Sequence, residues 1–543
     1  MGIIKDYANR YLWYLFFIPL PIALLIVSQW QMSTRGPYFE RLNYDPEYAY
    51  LLNGLKLADG QSPDHIDHPG TTLQILTSVV INFRHAIKNI LVERTPRSDD
   101  VLQHPEEYLL TIRNLMAIGI GILYFLLAIQ VYKKTKLIWA GIAFQLFPFL
   151  STSLISALSR VSVEPFLIIT ILLVTILLID VTEKKQQVYP IWQLSIMGLL
   201  LGTGMVTKLT FVPFILLVSW FPSLRDRNLV RITFIATIFT LIIPIWSQAN
   251  FNNFVRWVIG LVTKQGVYGS GSAGLFPPYK TFVLRIFDLA QVEPYYFIIL
   301  GILIIWFIIS LKNRTPENQL ERSRGSISIG ILVIQLILVM KFPSPHYLVP
   351  GLTWLGFIYI MGILKLESMF PIRSIKFKVI QATLLVLLIG SAVANTFTIF
   401  SLTRSIEKVH LETIKIDAFI KAKYPNCSII PYHGASDQRY VLEIGNNYAG
   451  RYFSEILTNL YPNTISYNIW GRYFTTFKVE NKDVEIQNRL TRGECILLRG
   501  GNLDGALDLT SPYYNAQLDL DKIIVETNER VYRLRAFRPK TQQ

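Results

Sequence analysis

Uncharged runs long enough to cross most of a bilayer recur along this chain, among them FLIITILLVTILLI at 166–179 and FIILGILIIWFIISL at 297–311. A helix of about twenty such residues covers the ~30 Å of a hydrocarbon core. The sequence is 51% hydrophobic and 16% charged, with a mean hydropathy of +0.37, whereas a soluble domain carries about 25% charged residues. An α-helical polytopic membrane protein is therefore expected. About eleven spans are read, at 11–30, 110–132, 137–158, 164–181, 190–206, 209–221, 232–247, 293–311, 326–341, 347–364 and 379–401. The fifth and sixth are short and are joined through MVTKLTFVPF. No small-residue cleavage site follows the first run, which reads as an anchor.

The net charge of +15 sits mostly in short loops between apolar runs. Lys5 and Arg10 precede the first span, Lys133, Lys134 and Lys136 follow the second, and Lys184 and Lys185 follow the fourth. Arg225, Arg227 and Arg231 follow the sixth; Lys312, Arg314, Arg322 and Arg324 follow the eighth; Lys365, Arg373, Lys376 and Lys378 follow the tenth. All of these fall on one side if the amino terminus is cytoplasmic, which is the membrane-orientation pattern and not a nucleic-acid face. The expectation is a multi-pass plasma-membrane protein with no nucleic-acid partner and an extracytoplasmic carboxyl terminus.

Two loops on the outer side are long, 31–109 and 248–292. Each holds an amphipathic stretch suited to lying along the membrane surface, TTLQILTSVVINFRHAI and FVRWVIGLV. The transmembrane module is placed at 1–404. Residues 405–543 alternate helical patterns with strand-like runs such as CSIIPYH and KIIVETNERVYRLRAF, as expected of a soluble extracytoplasmic α/β or α+β domain. Cys427 and Cys495 lie there, either as a disulfide or as two buried thiols. There is no internal repeat, low-complexity tract, P-loop or GxGxxG signature.

Ionisable groups near membrane depth are costly and mark sites. Here they gather on the outer side. Asp45 and Glu47 lie in YDPEYAY, and Asp64, His65, Asp67 and His68 in DHIDHPG. Arg160 and Glu164 lie in SRVSVEP, Lys208 in VTKLTF, Arg256 and Lys264 in the second long loop, and Lys341 and His346 in KFPSPHYLVP. Five loops could meet in one cavity. Carboxylates beside Arg, Lys and His suit a base that activates an acceptor and cations that hold a phosphate leaving group. Local roles compete at each position. Asp45-Pro46 and Glu164-Pro165 are also helix starts, and Arg160 and Lys341 also suit anchoring at headgroups. The DHIDHPG segment is a solvated loop or a divalent-ion site, with Asp67 and His68 the metal candidates. YGSGSAGLFPPY at 268–279 is a lid or a surface loop. His410 and His433 are read as structural.

In their order these motifs resemble the GT-C superfamily of integral-membrane glycosyltransferases, in the branch of protein O-mannosyltransferases and bacterial lipid A aminoarabinose transferases. YDPEYAYLLNGLKLADG followed by HPGTTLQIL is similar to the family's acidic motif, Gly and His/Lys-Pro-Pro of the first outer loop. Asp-Pro-Glu replaces Asp-Glu, and His68-Pro69-Gly70 replaces the Pro-Pro form. Arg160 and Glu164 match the second acidic motif, with Glu for the commoner Asp. Thr207-Lys208 matches the Thr-Lys of the short span pair. Lys341, His346, Tyr347, Leu348 and Pro350 resemble Lys-x-x-x-Arg-Tyr-Leu-x-Pro, with His for Arg. The likeness covers roughly 10–370 and leaves the C-terminal domain unmatched.

The resemblance implies inverting transfer of a sugar from a polyprenyl-phosphate donor to a lipid, glycan or protein acceptor at the outer membrane face. It implies Asp45 as base, with Glu164 orienting the acceptor or holding Arg160. Lys208, Arg160, Lys341 and His346 would bind the donor phosphate. Glu47, His68, Tyr347 and Arg256 are further site candidates, and no cofactor is implied beyond a possible divalent metal. The competing readings are a polysaccharide polymerase or ligase that uses a lipid-linked oligosaccharide, and a lipid or sugar transporter. A transporter predicts midplane charges and repeat symmetry, and the sequence has neither.

Overall fold

Among the described residues the long apolar runs are helical, and strands appear only beyond residue 427. The computed structural model describes residues 13–40, 44–66, 69–91, 95–183, 190–220, 248–265, 271–274, 276–311, 316–369, 374–469, 471, 473–501, 519–525 and 529–535. A 3-10 turn, Trp13–Phe17, precedes α1 (Pro19–Arg35); α2 (Tyr44–Ala58), α3 (Thr71–Leu91) and α4 (Arg97–Gln103) occupy the first long loop. Then come α5 (Pro105–Thr135), α6 (Ile138–Leu146), α7 (Thr152–Leu158), α8 (Glu164–Glu183), α9 (Ile191–Thr207) and a 3-10 helix, Leu209–Trp220. They are followed by α10 (Gln248–Thr263), α11 (Tyr279–Val292), α12 (Pro294–Ser310), α13 (Pro316–Val339), α14 (Val349–Met369) and α15 (Ile375–Lys423).

Among the described residues five stretches are long and apolar enough to cross a membrane: Trp13–Arg35, Pro105–Thr135, Glu321–Val339, Pro345–Glu367 and Lys378–Lys423. Two bent pairs raise this count of the described residues to as many as seven: Ile138–Leu150 with Thr152–Leu158, at 83°, and Tyr279–Val292 with Pro294–Ser310, at 107°. The expected span at 137–158 is thus bent sharply at Ser151. Those at 164–181, 190–206 and 209–221 are the shorter apolar helices Glu164–Ile179, Trp192–Thr207 and Leu209–Trp220. The expected span at 232–247 lies outside the described residues. These dimensions are those of an integral membrane protein. The last span does not stop near 401: with no Gly or Pro from 391 to 423, α15 runs on unbroken for 49 residues, roughly 70 Å at 1.5 Å per residue.

The described residues form two compact units. One is drawn from Met1–Gln31, Ile66–Leu73 and Arg113–Ser401. Its core joins side chains of α5 to α9 with α12 to α14. Phe214 packs edge-on against Trp354 at 5.6 Å, and Trp354 stacks on Phe357 at 4.3 Å.

The other unit is drawn from Met32–His65, Gln74–Ile112 and Leu402–Gln543. It contains β1 (Ser428–Pro431), α16 (Gln438–Tyr448), α17 (Ser454–Leu460), β2 (Ser466–Asn468), β3 (Tyr473–Thr475), α18 (Asp483–Thr491), β4 (Ile496–Gly501), β5 (Asp519–Val525) and β6 (Glu529–Arg535). The four-stranded sheet runs β1-β4-β6-β5, with β1 parallel to β4 and the remaining pairs antiparallel; β2 and β3 form a separate hairpin. Alternate residues face opposite sides of a strand. Ile496, Leu498, Tyr532 and Leu534 cluster with Phe474 and Ile486, while Leu497 and Val531 meet Ile416 and Ile420 of α15. Cys427 and Cys495 are disulfide-bonded, with Cα atoms 4.6 Å apart, where β1 and β4 begin.

In this unit α2 lies against α16. A Cβ at Gly445 would come within 2.8 Å of the Tyr48 carbonyl oxygen, so only Gly permits this approach. Asn53 Nδ2 donates to the carbonyls of Ala49 (2.8 Å) and Tyr448 (3.2 Å), and its Oδ1 accepts from the backbone N–H of Asp64 (2.8 Å) and His65 (3.0 Å). The buried His65 ring sits edge-on to Tyr50 and Tyr448, and burial pushes its pKa down to about 4. Asp64 is paired with Lys56. The first half of DHIDHPG is therefore a staple onto α16.

Glu40 is buried against His410 Nδ1, with both carboxylate oxygens at 2.8 Å. Burial pushes its pKa up to about 7, against the opposing pull of His410, and Glu529 and Asp417 add to the rise. A carboxyl raised this way favours folding below its unfolded pKa, and that contribution is lost as pH climbs through the folded value. Between about pH 4.5 and 7 Glu40 therefore makes stability fall with pH. In Glu40→Gln the melting-temperature loss between pH 5 and 7.5 should be smaller than in the wild type. The paired variant Cys427→Ser/Cys495→Ser should lose about 2–4 kcal/mol of stability in denaturant unfolding.

Candidate active site

Five of the expected site residues of the first unit, Arg160, Glu164, Lys208, His346 and Tyr347, come together at Lys208. Helix α9 ends at Thr207, where Lys208 turns extended (φ −161°, ψ 139°), and the 3-10 helix Leu209–Trp220 folds back against it. Gly204 makes this reversal possible: a Cβ there would fall 2.3 Å from the Phe211 ring. Lys208 points into the bundle with a side chain 3% exposed, and its ammonium is ion-paired with Glu164, the first residue of α8. It also lies over the Tyr347 ring, 4.3 Å from the centroid.

Arg160 and His346 complete the group. The charge of Arg160 acts on both Lys208 and His346, and His346 interacts electrostatically with Glu164. Ser162 hydrogen-bonds Glu164. The His346 ring is 4.2 Å from that of Tyr347, and its Nδ1 is 2.6 Å from Ser344 Oγ. The Glu164 carboxylate thus faces the Lys208 ammonium and the His346 imidazole, and Arg160 adds a second cation beside those two, which leaves an excess of positive charge at the ends of apolar helices. In such low-dielectric surroundings an anion is held far more strongly than in water.

The segment after His68 grips the turn. Gly70 N–H donates to the Thr207 carbonyl at 3.2 Å, and Thr72 Oγ1 lies 2.8 Å from Thr207 Oγ1. Gly70 has φ +64°, the left-handed region that Gly occupies without strain. The two motifs are thereby joined, although Asp67 and His68 lie outside the described residues.

Other expected residues do different work. The Lys341 ammonium donates to the carbonyls of Leu261 (2.5 Å), Val262 (2.7 Å) and Lys264 (3.3 Å), placing a cation at the C-terminus of α10, where it complements the helix dipole. Arg285 holds that lysine's backbone through the Met340 and Lys341 carbonyls. Arg256 and Lys264 are exposed on and just after α10. Asp45 is in the first turn of α2, its side chain outside the described residues. Glu47 is buried in the other unit, where its charge acts on Glu106; that carboxylate accepts from Tyr38 N–H, Phe39 N–H and Tyr48 OH. Among the described residues no three His, Cys, Asp or Glu side chains are grouped to hold a metal ion.

Sequence reasoning missed Thr72, Ser162 and Gln335. Gln335 is fully buried; its Nε2 donates to the Tyr347 carbonyl at 3.0 Å, and its Oε1 is 3.3 Å from Tyr296 OH. Its signal was a lone amide within the apolar run ILVIQLILV.

The sequence matches no family model and no curated protein. Among solved structures, the chain is similar to ArnT from Cupriavidus metallidurans bound to undecaprenyl phosphate, with 12% identity, 96% of this chain and 98% of that chain covered, and a TM-score of 0.47. It is also similar to the apo state of the same protein, with 11% identity, coverage of 95% and 97%, and a TM-score of 0.42.

Removing one partner of a buried ion pair leaves an uncompensated charge. Lys208→Met should therefore destabilise the protein by about 3–5 kcal/mol, and adding Glu164→Gln should restore most of that loss. Thermal unfolding of the two single variants and the double variant measures the coupling; a double variant no better than Lys208→Met would show that the pair is not what Lys208 contributes.

Proposed function

We propose that this chain is an integral-membrane glycosyltransferase that moves a sugar from a polyprenyl-phosphate donor to an acceptor at the extracytoplasmic face, with inversion. The observation that carries the reading is the net-positive group of Lys208, Arg160 and His346 around Glu164, at the ends of apolar helices. A lipid-linked phosphate needs that combination: apolar surroundings for the tail and fixed cations for the headgroup. The likeness of Thr207-Lys208, SRVSVEP and HPGTT to the GT-C motifs supports it. The disulfide supports an oxidising compartment for the C-terminal domain at 405–543, and acceptor recognition is proposed for that domain.

In this scheme Asp45 takes the proton from the acceptor hydroxyl as its oxygen attacks the anomeric carbon. The bond from that carbon to the phosphate oxygen breaks with its electron pair, and polyprenyl phosphate leaves carrying the extra negative charge. Lys208, Arg160 and His346 sit where that charge grows, so they stabilise the transition state more than the ground state. Glu164 keeps Lys208 charged and aimed, and Tyr347 supports the ammonium from below. Asp67 and His68 remain the proposed ligands if a divalent ion takes part.

The test is transfer of labelled sugar from polyprenyl-phosphate donors by the protein in lipid nanodiscs, with mass spectrometry of co-purifying lipids to identify the carrier. Lys208→Met should lower turnover on the order of 10²–10³-fold. Asp45→Asn should abolish turnover while the carrier still binds. Full turnover in Asp45→Asn removes it from the base role, and absence of any polyprenyl-phosphate lipid counts against the whole reading.

A further inference from the structure

Two buried ionisable side chains in the first unit play no part in the scheme above: Arg113 of α5, 2% exposed, and Glu293, fully buried. They converge on the same short element, α7 (Thr152–Leu158), from opposite ends. Glu293 Oε1 accepts from the Ser153 backbone N–H at 3.0 Å and lies 3.4 Å from Thr152 Oγ1. Arg113 Nε donates to the carbonyl of Leu158, the last residue of α7, at 2.8 Å. Its other nitrogens bind Ser28 Oγ (2.7 Å), Gln29 Oε1 (2.6 Å) and Asn114 Oδ1 (2.8 Å), which ties that end to α1.

Each side chain supplies what the adjacent helix end lacks, a carboxyl acceptor for the free N–H groups and guanidinium donors for the free carbonyls. A seven-residue helix is too short to hold itself in register, so its placement comes from outside. The element is also the one that needs placing. Both sharp breaks of the bundle touch it: α7 follows the 83° bend, and Glu293 occupies the 107° bend between α11 and α12. The backbone then runs directly from Leu158 through Ser159 to Arg160, Ser162 and Glu164.

We propose that Glu293 and Arg113 are positioning residues: they clamp α7 at its two ends and so set where Arg160 and Glu164 stand relative to Lys208. This rests on the transferase reading for its catalytic consequence, though not for its geometry. A displacement of about 1 Å at a reacting centre costs up to about a hundredfold in rate. The guanidinium serves four acceptors at once, and a lysine ammonium cannot reproduce that planar fork.

The experiment compares Arg113→Lys, Glu293→Ala and Glu293→Gln with the wild type in two assays. In labelled-sugar transfer, Arg113→Lys and Glu293→Ala should raise the donor KM by roughly tenfold or more while the acceptor KM stays unchanged. Glu293→Gln, which keeps an acceptor for Ser153 N–H, should recover most of the loss. A role in overall folding alone would lower kcat with the amount of active protein and leave both KM values in place, and that result overturns the proposal. The second assay needs no turnover. The non-additivity of Glu164→Gln and Lys208→Met in melting temperature should shrink when measured in the Arg113→Lys or Glu293→Ala background. Unchanged non-additivity in both backgrounds overturns the clamp even if the protein transfers no sugar. Lost non-additivity without transfer upholds the clamp and counts against the transferase reading.

Discussion

A lysine ammonium inside an apolar bundle is expensive to desolvate, and Glu164 is what makes Lys208 tolerable there. Much of the first unit can be read as support for that single pair. Gly204 allows α9 to reverse so that Lys208 turns inward, Tyr347 gives the ammonium an aromatic face, and Gln335 fixes the carbonyl of Tyr347. Gly70 and Thr72 fasten the other side of the turn through Thr207. A pair buried so fully adds little to net stability compared with apolar replacements of equal volume. Its retention in this place fits a role in holding a charge ready for use.

The apolar runs and the Thr-Lys, SRVSVEP and KFPSPHYLVP motifs were legible because membrane depth makes charge rare, so each exception stands out. Span boundaries were less so. An 83° break at Ser151 and a 107° break at Glu293-Pro294 come from local backbone choices inside apolar sequence. A hydropathy window cannot see them. The partners of individual charges were the least legible part. Lys341 belongs to a motif, yet its ammonium closes the end of α10, some eighty residues away in sequence. Spacing along the chain carries no information about such a contact.

The segment QSPDHIDHPGTT shows how one polar stretch divides its labour. Asp64 and His65 fasten onto α2 and α16 through Asn53, Lys56 and two tyrosine rings. Gly70 and Thr72 fasten onto the end of α9. Only a few residues separate the two attachments. The titratable crowding that looks like a metal site in the sequence is, in its described half, a buried neutral imidazole and a paired carboxylate.

The hydrogen bond from Asn53 to Tyr448 closes a gap of 395 residues. Chains are made at about 5–20 residues per second, so α2 leaves the ribosome roughly 20 to 80 s before α16 exists. For all of that time the helix that begins Tyr-Asp-Pro-Glu lacks the glycine face and the tyrosine carbonyl that seat it. Seating of α2 is therefore a late event, and a ribosome stalled anywhere before residue 438 would leave α2 without its seat.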